Sequence, residues 1–330
     1  MRVLLTGWFS FWHGEATAGD LLALEAIRQS LELAGFTYDI AWSPGFRPGA
    51  LRLEDAAPEH YSHLVFVCGP LHGEQFTELH TRFAALRRIA VGVSVIDPAA
   101  PACAGFDLVL ARDGGAAAPV RDLASLVRPA TPPQVPVVGV ALAAGQGEYG
   151  ARRRHEEVTG RLTQWVGGQT CAPVVLETRL DTRDWRLCST AEAFQALLAR
   201  LDIVVTTRLH GLILALRAGI PALAVDPVDG GGKVTAQAAA WDWPACLTAA
   251  ATAERGRLDA LWDWCLSTAG QQEAADRAGQ RPDRTALERL IADLERSRPG
   301  PEADRDARWP TRLLRALVGH LNRQDGWVAR

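Results

Sequence analysis

Residues 202–226, DIVVTTRLHGLILALRAGIPALAVD, constrain the fold more than any other stretch of the chain. Asp202–Val205 is a short β-branched run, Thr206–Arg208 a polar break, and Gly211–Arg217 an apolar helical stretch ended by Gly219-Ile220-Pro221. A second strand is expected over Pro221–Val225. The spacing predicts a β-α-β unit, with Arg208 and His210 in the turn after its first strand. Open parallel sheets take their ligands at that end of the strands.

The same alternation runs through the rest of the chain. Strands are expected at Val3–Thr6, Tyr38–Trp42, Leu64–Cys68, Ile89–Val95 and Leu108–Ala111. A helix over Asp20–Ala34 carries Leu24, Ile27 and Leu31 on one face and stops at Gly35. Four prolines in the nine residues Arg128–Pro136 exclude regular helix and central strand. The pattern then restarts with a strand at Val137–Leu142, a charged helix over Glu148–Val166, a strand at Val174–Glu177 and a helix over Ala191–Leu201. Apolar strands separated by helical spans make doubly wound, mostly parallel sheets. The expected fold is therefore α/β with two doubly wound Rossmann-like domains, 1–130 and 137–297, joined by a linker at 131–136. A helical extension, 298–330, follows. Its last amphipathic stretch, Arg308–Arg323, suits either packing on the domains or peripheral contact with a membrane surface.

Composition narrows the function. At 330 residues and a net charge of −3, with no Lys/Arg-rich block, the chain is not expected to bind nucleic acid. No apolar run reaches bilayer-spanning length, and Met1–Leu5 leads into Gly7, Ser10 and His13 instead of a long signal core, so a cytoplasmic location is expected. The six cysteines have no Cys-x-x-Cys spacing, and no Asp-x-Asp or His/Asp/Glu set has metal-ligand spacing, so no metal is expected. Neither Gly-x-Gly-x-x-Gly nor a Walker sequence is present, which disfavours nicotinamide and nucleoside-triphosphate chemistry. Lys233 is the only lysine among 35 basic residues and follows three glycines, in a polar loop expected to carry a mobile ammonium to an anion.

Arg208 offers a planar fork of donors matched to a carboxylate or phosphate, and His210 opens a helix whose amide groups favour negative charge. Thr207-Arg208-Leu209-His210-Gly211, followed by an apolar helix and Ala-Gly-Ile-Pro-Ala, resembles the signature of the polysaccharide pyruvyl transferase family. The resemblance extends to Gly19-Asp20 at the first helix, to Leu110-Ala111-Arg112-Asp113 after a strand, and to Lys233-Val234. It implies a GT-B-like pair of domains facing a cleft, phosphoenolpyruvate as donor, a carbohydrate acceptor, and no cofactor. By the same resemblance, His210 and Asp20 are the catalytic candidates, and Arg208, Arg112, Lys233 and Thr207 the substrate-binding ones; His72, in the loop after a strand, is a further substrate-binding candidate. The loop Cys68-Gly69-Pro70-Leu71-His72-Gly73 departs from the family's run of glycines. Two other readings stand beside this one: a GT-B glycosyltransferase using a sugar nucleotide, and a noncatalytic metabolite-binding relative.

Overall fold

The computed structural model describes residues 1–12, 16–128, 135–145 and 147–297. His13, most of the expected linker and the whole 298–330 extension, with its amphipathic stretch, lie outside the described residues. The chain divides into two compact units, Met1–Gln134 and Val135–Arg330.

Unit 1 is a parallel sheet of five strands: β1 (Arg2–Gly7), β2 (Thr37–Ile40), β3 (His63–Val67), β4 (Arg87–Ser94) and β5 (Leu108–Asp113), in the order β2-β1-β3-β4-β5. Alternate residues of β1, β3 and β4 serve different cores, because side chains leave a strand on alternate faces. Val3, Leu5 and Val67 join Ala23 and Leu24 of α1 (Ala18–Leu33), together with Phe9 and Trp42. Leu4, Leu64, Phe66 and Ala90 join Phe76, Leu79 and Phe83 from the region of α2 (Gln75–Arg82), and Cys103 of α3 (Pro101–Ala104). The helix α1 ends at Gly35, whose φ of +74° a side chain would resist. No α-helix connects β2 to β3; short 3-10 turns at Leu53–Asp55 and Pro58–His60 stand in its place.

Unit 2 repeats the arrangement. Its strands are β6 (Val137–Ala141), β7 (Ala172–Val175), β8 (Ile203–Thr206), β9 (Ala222–Asp226) and β10 (Cys246–Thr248), all parallel, in the order β10-β9-β8-β6-β7. Counted from its own first strand, each sheet runs second, first, third, fourth, fifth. In this doubly wound order the direction of winding reverses between the first and third strands, and the crevice at their carboxyl ends is the ligand site. In unit 2 that place lies between β6 and β8. The helices are α4 (His155–Gly167), α5 (Ala191–Leu198), α6 (Leu209–Arg217), α7 (Lys233–Ala240), α8 (Arg255–Leu266), α9 (Thr268–Gly279) and α10 (Thr285–Arg296).

Two expectations change. The charged helix starts at His155 and not at Glu148; Gly147–Arg152 forms 3-10 turns broken at Gly150, whose φ is +51°. Lys233 is not a loop residue but the first residue of α7. Among the described residues no helix is long and apolar enough to cross a membrane.

Candidate active site

The carboxyl end of β8 is fastened to that of β6 by hydroxyls. Thr206 Oγ1 donates to Ala141 O at 2.9 Å and accepts from Arg208 N–H at 2.9 Å. Thr207 Oγ1 accepts from Ala143 N–H at 2.7 Å, while Thr207 N–H donates to Ala141 O at 3.1 Å. The buried Thr207 hydroxyl thus has a structural task, holding the loop after β6. Gly211 serves the same joint, since a Cβ there would lie 2.2 Å from Thr206 Oγ1. The small residue lets the first turn of α6 close on the strand end.

Arg208, the residue before α6, turns its guanidinium across the end of β6. Nε donates to Leu142 O at 3.2 Å, and the terminal nitrogens reach Glu177 Oε2 at 2.8 Å and Thr178 Oγ1 at 3.5 Å. Arginine and glutamate are both part-buried. His210 is exposed in the first turn of α6 and makes no side-chain hydrogen bond among the described residues. These two residues stand at the crevice between β6 and β8.

Lys233 begins α7, the helix after the neighbouring strand β9, with its ammonium 4.0 Å from Glu148. The glycines before it lack the freedom expected of them. The fully buried Asp226 carboxylate accepts from the N–H groups of Val228, Gly232 and Thr235 at 3.0, 2.7 and 2.8 Å. Arg152 donates to the carbonyls of Asp229 and Gly231 at 2.9 and 2.6 Å. A carboxylate accepting three amides at a helix start fixes both the loop and the helix.

The remaining candidates belong to unit 1. Asp20 completes a capping box: its Oδ2 accepts from Thr17 Oγ1 at 2.8 Å and from Thr17 N–H at 3.2 Å, and Asp20 N–H donates to Thr17 Oγ1. Arg112 has all its nitrogens engaged, with Asp113 at 2.7 Å, Asp122, and Ser94 Oγ at 2.6 Å. Hydrogen bonds to these two aspartates hold its pKa above the ordinary arginine value. His72 is exposed in the loop after β3. That loop is pinned where the family's glycines were expected: Trp8 Nε1 donates to Pro70 O at 3.1 Å, Leu71 N–H to Ser94 O at 3.0 Å, and Gly69 at φ +75° passes close under the Trp8 ring.

Sequence reading missed Glu177, Asp226 and Arg152, because a carboxylate or guanidinium near a strand end announces no partner until the loops are folded. It also missed His155, which is buried at the start of α4 and has neither ring nitrogen paired among the described residues. Among the described residues no group of three His, Cys, Asp or Glu converges as a metal site would.

Residues 179–229 match the family model described as polysaccharide pyruvyl transferase. No curated protein matches the chain. Among solved structures, the spinosyn rhamnosyltransferase SpnG complexed with thymidine diphosphate is similar at 15% identity and a TM-score of 0.33, over 88% of this chain and 100% of that one. The glycotransferase of kitacinnamycin is similar at 10% identity and 0.34, over 90% and 99%. The UDP-GlcNAc 2-epimerase from Methanocaldococcus jannaschii is similar at 10% identity and 0.31, over 90% and 100%. Likenesses this distant bear on no step of the chemistry. The family match is confined to residues 179–229, and across the β8-α6-β9 unit that places Arg208 and His210 the chain resembles the polysaccharide pyruvyl transferases.

Proposed function

We propose that the chain transfers the pyruvyl group of phosphoenolpyruvate onto two hydroxyls of a sugar, giving a cyclic pyruvate ketal and phosphate. One observation carries the reading: the family match falls on the strand end where Arg208 and His210 meet the crevice of unit 2. Adding alcohols to an enol phosphate needs cationic groups on the carboxylate and phosphate, and a group that moves protons to the methylene carbon and from the hydroxyls. Arg208 supplies the planar cation and Lys233, at the start of α7, a second charge. The amide end of α6 favours the anion further. His210, exposed and without a protein partner among the described residues, carries the proton.

The scheme requires neither a metal nor a cofactor. Asp20 and His72 stay with the carbohydrate acceptor in this proposal. Arg112 is left out of it, because two carboxylates, those of Asp113 and Asp122, already neutralise its charge. The site is assigned by calorimetric titration of the full chain with phosphoenolpyruvate and, separately, with a sugar nucleotide. Binding of phosphoenolpyruvate that weakens by about tenfold or more in Arg208→Ala supports the reading; binding of the sugar nucleotide alone replaces it with glycosyl transfer.

A further inference from the structure

Glu177 lies just outside the segment that matches the family model, on the exit of β7, two strands away from Arg208 in the sheet order. We propose that Glu177 is a positioning residue that holds the Arg208 guanidinium in the orientation that receives the donor. This inference rests on the donor site assigned above.

The carboxylate is itself held. Glu177 Oε1 accepts from Arg179 N–H at 2.9 Å, in a turn local to the end of β7, while Oε2 accepts from the Arg208 guanidinium at 2.8 Å. Because one oxygen is tied to the backbone, the glutamate is a fixture of the strand exit and not a roaming counter-ion that a donor would simply displace. A guanidinium has five N–H groups. Leu142 O takes the one on Nε, Glu177 one on a terminal nitrogen, and Thr178 Oγ1 stands at the limit of hydrogen-bonding distance from the other. One N–H on each terminal nitrogen is left to donate to an anion.

Of the three anchors only Glu177 is charged, and charge-assisted hydrogen bonds are roughly twice as strong as neutral ones. The carbonyl and the hydroxyl fix where the side chain lies; the carboxylate fixes how the fork is turned. A long side chain whose rotamers are settled before the anion arrives loses less freedom on binding it. The cost is a neutralised charge, so Glu177 trades long-range attraction for geometry.

The test uses the full-length chain, phosphoenolpyruvate as the titrant, and the variants Glu177→Gln, Arg208→Ala and their combination. Glu177→Gln keeps the shape and removes the charge; its Kd rises by about tenfold. In the Arg208→Ala background the same substitution changes Kd by less than about twofold, because its effect passes through the arginine. A Kd unchanged or lowered by Glu177→Gln overturns the proposal, as does an equal weakening in both backgrounds. Phenylglyoxal labelling of Arg208, mapped by mass spectrometry, reads its restraint without any donor: Glu177→Gln speeds labelling several-fold if the carboxylate holds the fork, and an unchanged rate overturns the proposal. A wild-type chain that binds no phosphoenolpyruvate refutes the donor assignment, and positioning is then decided by the labelling rate.

Discussion

Arg208 and His210 stand two positions apart and differ in what surrounds them. The arginine is anchored on three sides, whereas the histidine is exposed and makes no side-chain bond among the described residues. Arg208→Ala is expected to weaken donor binding by about 1.5 to 3 kcal/mol, the range of a charged hydrogen bond. His210→Ala is expected to lower turnover by about 100-fold or more while donor affinity is kept, as for the loss of a general acid or base. Titration and single-turnover kinetics separate the two, and equal minor losses would make the pair structural. His155 is expected to respond to pH instead. Burial, and then the nearby Arg153 and Lys233 charges, push its pKa below the ordinary histidine value, against the opposing pull of Asp226 and Glu148. The unfolded chain therefore takes up this proton first, at about pH 6.5. The contribution of a neutral His155 to stability is full above that pH and is lost as pH falls toward the lowered folded value. Thermal melts from about pH 7.5 down to about pH 5.5 should show the loss, and His155→Leu should flatten it. His80 in unit 1 is lowered chiefly by burial too, so a slope that persists undiminished in His155→Leu would assign the effect elsewhere.

At the scale of elements, the β8–α6 joint sets the site. Gly211→Ala illustrates the competing terms. Replacing a helical glycine with alanine gains up to about 1 kcal/mol in backbone entropy. Here the new methyl would meet Thr206 Oγ1 at 2.2 Å, and that hydroxyl is already committed to Ala141 O and Arg208 N–H. Overpacking of this kind costs about 1 to 3 kcal/mol. The collision wins, because the hydroxyl cannot move without breaking two hydrogen bonds. The urea midpoint of unit 2 should fall with its slope unchanged. An unaltered midpoint would mean that the helix backs away from the strand end without cost. The glycines of residues 230–232 play a different part from the mobile loop their composition suggests. Asp226 and Arg152 tie them down, so Lys233 is presented by a fixed helix start.

At the scale of the whole chain, the hydrophobic cores belong to one unit or the other. The clusters around Phe66 and Phe9 are built from unit 1 residues alone, and the large cluster around Val205 and Leu212 from unit 2 alone. Chains with separate cores depart from two-state unfolding. Denaturation followed by tryptophan fluorescence and by far-ultraviolet circular dichroism should therefore resolve two transitions. Gly211→Ala should move only one of them. A single transition that shifts as a whole in the variant would show that the units unfold together.

Local pattern and residue type were enough for the α/β class, for most of the strands, and for the placing of Arg208 and His210 at a strand end. These follow from periodicity and from glycine and proline, which act over a few residues and need no partner. Tertiary structure decided what each polar side chain is free to do. That Asp20 closes a capping box with Thr17 shows only in the folded chain. That Asp113, Asp122 and Ser94 surround the Arg112 guanidinium shows only in the folded chain. The Lys233 loop reads as mobile until Asp226 is found buried beneath it. Glu177 is invisible beside Arg208, 31 residues away in sequence, until parallel pairing brings the ends of β7, β6 and β8 together. A hydrogen bond depends on a partner at about 3 Å, and for residues far apart in sequence only the packed sheet supplies that distance.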